Sequence, residues 1–251
     1  MRRLGYRAAG IGEKDLLLGQ RYLRDLGERK RVRFLCANLH YADDGKPFAD
    51  ATLIEYLGAS TFLGRRFGGV RVGVTSVLWP DDFRRFSPQR EGDRELIIKD
   101  PVRATRESVQ NLRPRSDIIV LIAHTGIDAA KEIARQVTGI DIVLVAHEDY
   151  MPKEASFEGK TILLGTPSKG RAVGVIEARL TDQGKVRAAI GRGVILDESH
   201  ADDDEMAFLV DEYKAALAAA GLSPRPAIDD DEVAGEHAGH ADSAAVAATP
   251  L

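Results

Sequence analysis

Residues 116–150 read SDIIVLIAHTGIDAAKEIARQVTGIDIVLVAHEDY, and they decide the fold class. Two continuous apolar runs, DIIVLIA (117–123) and IDIVLVA (140–146), flank IDAAKEIARQV (127–137). In the middle segment Ala130, Ile133, Ala134 and Val137 recur at helical spacing. Strands apolar along their whole length are buried on both faces, and a helix between two of them makes a parallel βαβ crossover. The stretch therefore predicts an α/β domain.

Each apolar run stops at a histidine, His124 in IAHTG and His147 in VAHED. Ligands of open α/β sheets bind beyond the carboxyl ends of the strands. If the two strands are neighbours, their ends lie about 5 Å apart. Two imidazoles there can share one ion, with Glu148 and Asp149 as nearby oxygen donors. A mixed imidazole and carboxylate set suits zinc, manganese or iron. The bland alternative for each histidine is a polar residue where a core strand meets water.

Working outward, YRAAGIG (6–12) reads as a short strand, EKDLLLGQRYLRDLGERK (13–30) as a helix, and VRFLCANL (32–39) as a strand. TFLGRRFGGVRVGVTSVLW (61–79) predicts two strands joined as a hairpin at Gly68 and Gly69. SPQREGDRE (87–95) reads as a loop. DPVRATRESVQNLRPR (100–115) predicts a helix with Asp100 as N-cap and Pro101 at its first position. KTILLGTP, AVGVIEARL and VRAAIGRGVIL predict a closing antiparallel meander, and residues 202–221 a helix with an acidic first turn. Residues 223–251, rich in Pro, Ala, Gly and acid, read as a disordered acidic tail. The domain is accordingly placed at 1–222.

Composition narrows the classes. The chain has 251 residues, 44% of them hydrophobic, and a net charge of −4. That supports one substantial core. No basic stripe points to nucleic acid, and no apolar run reaches membrane-spanning length. Cys36, the single cysteine, lies in an apolar strand and reads as packing. No signal peptide is read in MRRLGYRAAGIGEKD, which makes the chain cytoplasmic as written. GTPSKGR lacks the Gly-Lys-Ser/Thr order of a P-loop, and His237 and His240 read as part of the solvated tail.

The stretch 116–150 resembles the calcineurin-like metallophosphoesterases, specifically their 5'-nucleotidase branch. LGYRAAGIGEKDLLLG (4–19) resembles that branch's Gly-Asn-His-Glu segment, and VRFLCANL, GGVRVGVTSV and GTPSKGRAVGVIEARL follow in the family's order. The similarity covers about residues 1–196. It implies a two-sheet sandwich flanked by helices, and hydrolysis of phosphate esters such as nucleotides with two divalent ions. It implies His124 and His147 as metal ligands and Glu13 in place of a ligand Asn. It also puts Lys14 where the family has a His that assists the leaving group, and Asp149 where it has a second His. It implies that the first strands, with their Asp-x-His and Gly-Asp motifs, are missing. The sheet then exposes an edge, and a chain supplying those strands becomes a candidate partner. It further implies nucleotide catabolism and, for a fuller protein, the periplasm. The departures carry a second expectation: a catalytically inactive binding or assembly module, with one ion or none.

Overall fold

The computed structural model describes residues 5–30, 32–58, 60–62, 65–81, 83, 92–148, 152–167, 170–181 and 186–222. A short strand, β1 (Ala8–Gly10), leads into a 3-10 turn (Glu13–Leu18) and helix α1 (Gln20–Lys30). Then come β2 (Arg33–Leu35), β3 (Leu39–Tyr41), β4 (Thr52–Leu57), β5 (Ser60–Phe62), β6 (Arg65–Phe67) and the longer β7 (Val70–Leu78). β8 (Leu96–Ile98) precedes α2 (Pro101–Leu112), β9 (Ile118–His124), α3 (Ile127–Gln136) and β10 (Ile142–Glu148). The order closes with β11 (Ser156–Glu158), β12 (Thr161–Pro167), β13 (Ala172–Leu180), β14 (Val186–Ile195) and α4 (Asp204–Ala219).

The expected βαβ unit is the centre of the molecule. β10 pairs with β9 in parallel, Ile142 opposite Val120 and Ala146 opposite His124. A six-stranded sheet grows around it in the order β11-β12-β10-β9-β7-β4. Its inner strands are parallel, and β11 and β4 are antiparallel edges. The α2 start has the predicted chemistry: the Asp100 carboxylate accepts from Arg103 N at 2.6 Å, with Pro101 in the first turn. Ala130, Ile133, Ala134 and Val137 are all buried, as their spacing requires.

Pairing register assigns side chains to faces, because alternate residues of a strand point opposite ways. One face carries Val77, Ile119, Leu121, Ala123, Val143, Val145 and Leu163, and it packs on α2 and α3 through Val109, Leu112, Ile133 and Val137. Burying a side chain such as Leu112 or Ile133 stabilises by roughly 1.5–3 kcal/mol. The other face is covered in two pieces. Ile118, Ile142 and Ile162 lie under the β13–β14 pair, through Ile176, Leu180, Val186 and Ala189. At the far side Leu78 packs with Ile11, Leu16, Leu23 and Cys36, the layer formed by β1, β2 and α1. Val120 packs with the first piece, Ile122 lies against Gly10 of β1, and Leu144 is 40% exposed.

Four expectations are corrected. The helix predicted over 13–30 is split, because Gly19 adopts φ 94° and separates the 3-10 turn from α1. Gly68 and Gly69 do take positive φ, 66° and 83°, but β6 pairs with β5 while β7 pairs with β4 and β9, so the glycines link two sheets rather than close a hairpin. The closing meander is a β13–β14 hairpin only; β12 lies in the main sheet, parallel to β10. VRFLCANL also divides, into β2 and β3, with the latter paired to β8.

The chain separates into two units, Met1–Asp197 and Glu198–Leu251. The first holds the sheets. The second holds α4, whose N-cap Asp203 accepts from Met206 N at 3.0 Å and whose first turn carries Asp204 and Glu205. The tail, 223–251, lies outside the described residues. Among the described residues no helix is long and apolar enough to cross a membrane.

Candidate metal site

The carboxyl ends of β9 and β10 and the turn after β1 meet at one point. His124 ends β9, opposite Leu78 of β7 and Ala146 of β10. By alternation it shares the half-open face with Val120 and Ile122. His147 should instead continue the sealed face of Val143 and Val145. It does not: its φ is 69°, the only positive value for a non-glycine among the described residues, and the register with β12 shifts between Val145 and Glu148. A left-handed conformation costs a residue with a Cβ about 1–2 kcal/mol. Here it turns the His147 ring onto His124, with Nδ1 at 3.4 Å from His124 Nε2 and ring centroids 5.3 Å apart. Strain of this kind gathers at functional sites.

Glu13 comes from the other layer and is 2% exposed. Its Oε2 lies 2.5 Å from His124 Nε2, and its Oε1 3.9 Å from His147 Nδ1. Two glycines permit this approach. A Cβ on Gly10 would lie 2.6 Å from Ser76 Oγ and 2.8 Å from Ile122 Cγ2, so only glycine lets β1 rest on the sheet. A Cβ on Gly12 would lie 3.0 Å from His124 Cε1. Burial raises the Glu13 carboxyl, but the hydrogen bond and charge of His124 outweigh it, and the group ends below its ordinary value.

The ligand atoms of Glu13, His124 and His147 all lie within 4.8 Å of one another. Bonds of 2.0–2.2 Å in a tetrahedron separate ligand atoms by about 3.4 Å. The two imidazole nitrogens are already at 3.4 Å, and the Glu13–His147 spacing is close to it. The shorter Glu13–His124 contact is a hydrogen bond whose proton occupies the place of a cation. The donor set, one carboxylate and two imidazoles, fits a divalent transition ion.

Lys14 is exposed on the same turn. Asp149 lies outside the described residues, as does the side chain of Glu148. Cys36 is buried just after β2, in the cluster with Ile11, Leu16 and Leu78, and its thiol is pushed up to about 12 by burial, which fits packing and not nucleophilic work. Among the described residues, clefts of about 600 and 640 Å³ open elsewhere, and none of the three cluster residues lines either.

One participant was missed. Asp15 Oδ2 accepts from Gly12 N at 2.7 Å, and Asp15 N donates to Gly12 O at 3.2 Å. Desolvation raises the Asp15 carboxyl, the Gly12 N–H and the His124 charge act against it, and the Glu13 charge raises it further. The residue is exposed overall while its carboxylate lies against the turn. An acid three residues after a helix cap is a readable signal.

No family model matches the chain. It is 28% identical over 235 residues to a 5'-nucleotidase of Diplobatis ommata, covering 86% of this chain and 39% of that protein. It is 26% identical over 80 residues to the uncharacterized metallophosphoesterase YunD of Bacillus subtilis, covering 32% of this chain and 17% of that protein. The chain thus spans about two fifths of the length of the 5'-nucleotidase it matches. Among solved structures, a 5'-nucleotidase precursor from Thermus thermophilus superposes with TM-score 0.71 at 20% identity, over 87% of this chain and 45% of that one. The calcineurin-like phosphoesterase YfkN from Bacillus subtilis does so with TM-score 0.70 at 20% identity, over 85% and 70%. The Thermus thermophilus sulfate thiohydrolase SoxB gives TM-score 0.70 at 23% identity, over 86% and 37%. The fold is therefore that of the calcineurin-like phosphoesterases, and the chain's homologues are named 5'-nucleotidase and metallophosphoesterase.

Proposed function

We propose that this chain is a 5'-nucleotidase-like phosphoesterase domain, placed at residues 1–222, that binds a divalent ion through Glu13, His124 and His147. The convergence of these three side chains carries the reading. Zinc, manganese and iron all suit the donors. A bound ion supplies Lewis acidity toward a phosphoryl oxygen. The chain's own groups do the rest. Glu13 supplies the carboxylate donor and meets the His124 ring on its Nε2 side. Lys14, on the same turn, offsets the charge of a phosphate ester, and Asp149 adds a carboxylate where β10 ends. Substrates are phosphate esters, with nucleotides first among them, and the activity would serve nucleotide catabolism.

A second reading, a non-catalytic metal-binding module, is favoured by the departures from the family's pattern, Lys14 and Asp149 standing where it has histidines. Elemental analysis of the purified chain, with assays of a generic phosphodiester and of AMP in added Mn²⁺, separates the two. Metal near one equivalent and turnover lost in His124→Ala and His147→Ala support the enzyme. Metal without turnover supports the module. No bound metal, and turnover unchanged by either substitution, sinks the site altogether.

A further inference from the structure

Resting on the reading above, we infer that Asp15 is the positioning residue of the cluster, holding the turn that aims Glu13 at His124. Glu13 opens a 3-10 turn of six residues, too short to set its own direction by a long hydrogen-bonded ladder. What brackets Glu13 is Asp15. Its carboxylate takes the Gly12 N–H and its own N–H reaches the Gly12 carbonyl. Both peptide groups of Gly12 are thereby gripped by one residue, with Glu13 between. Gly12 is also the residue seated on the His124 ring. A rotation there moves the start of the Glu13 side chain and opens the 2.5 Å contact together.

The bond, rather than the charge, is what Asp15 contributes. Toward Gly12 N the Asp15 Oδ2 acts as a hydrogen-bond acceptor at 2.7 Å, a role that needs an oxygen lone pair and not a charge. A neutral acceptor in the same place would grip Gly12 as well. Asp15 is exposed, so truncating it removes nothing from the core. Positioning can be separated from folding for that reason.

The test compares Asp15→Ala and Asp15→Asn in the full chain. Proton NMR of the metal-free protein follows the hydrogen-bonded imidazole N–H of His124, assigned by its absence in His124→Ala. Calorimetry follows binding of Zn²⁺ alone, and circular dichroism follows the melting temperature. Asp15→Ala is expected to lose or shift the imidazole signal and to weaken Zn²⁺ roughly tenfold or more. Its melting temperature should stay near the parent's. Asp15→Asn, which keeps an acceptor oxygen, should restore both signals. An Asp15→Ala protein with the parent's imidazole signal and Zn²⁺ affinity would overturn the inference. So would an Asp15→Asn protein as impaired as Asp15→Ala. A parent chain that binds no Zn²⁺ defeats the proposed function instead, and the imidazole signal still decides the role of Asp15.

Discussion

The two faces of the six-stranded sheet are made of nearly the same residue types, and one is covered throughout while the other is covered in two pieces with a gap at Leu144. On one, Leu121 and Val143 are fully buried beneath α2 and α3. On the other, Leu144 of the same β10 is 40% exposed, between a layer over β7 and the β13–β14 pair over β12. Central parallel strands are normally covered on both sides. The difference teaches that stability and site belong to different faces. The sealed face holds the sheet together, while the half-open one carries His124 and receives Glu13.

The largest way to break that contrast is Leu121→Ala. It should cost about 2–5 kcal/mol, the range for a leucine removed from a packed core, read from urea or thermal unfolding. A cost under 1 kcal/mol would mean that the helical face is not the one that holds the sheet.

His147 marks where β10 crosses from the sealed face to the open one. His147→Gly removes the left-handed strain at the expense of some chain entropy, so the metal-free protein should gain up to about 1 kcal/mol. Zn²⁺ affinity should fall at the same time. A glycine variant that is less stable without metal would show that the backbone there is not strained.

The smallest effect belongs to Leu144→Ser, which should cost about 1 kcal/mol or less, since a half-exposed side chain forfeits only part of its transfer energy. A loss matching that of Leu121→Ala would show that something covers this face in solution.

The βαβ unit was legible because its strands are apolar without a break and its helix is cleanly periodic. The N-cap at Asp100 was legible because the chemistry is local. Those same unbroken runs could not say what covers each face, since a strand sealed on one side and half-open on the other spells no differently. The Gly68–Gly69 turn was correctly placed and wrongly paired, because positive φ is a local property and strand partnership is not. Matching positions in the βαβ unit brought out His124 and His147. Glu13 emerged only through family resemblance, because nothing in its own neighbourhood in sequence indicates that it is buried beside them. The turn of His147 toward its partner left no trace in the residue types.

The contact between Glu13 and His124 joins positions 111 residues apart, whereas His147 and His124 are 23 apart. Closing the longer loop costs about 1.4 kcal/mol more chain entropy than closing the shorter one. The two histidines can therefore come together as soon as one local crossover forms, but the carboxylate arrives only when the chain's beginning has docked on its middle. The complete set of three donors is in this sense a record of finished folding: a chain caught part-way offers an ion the two imidazoles without the Glu13 carboxylate.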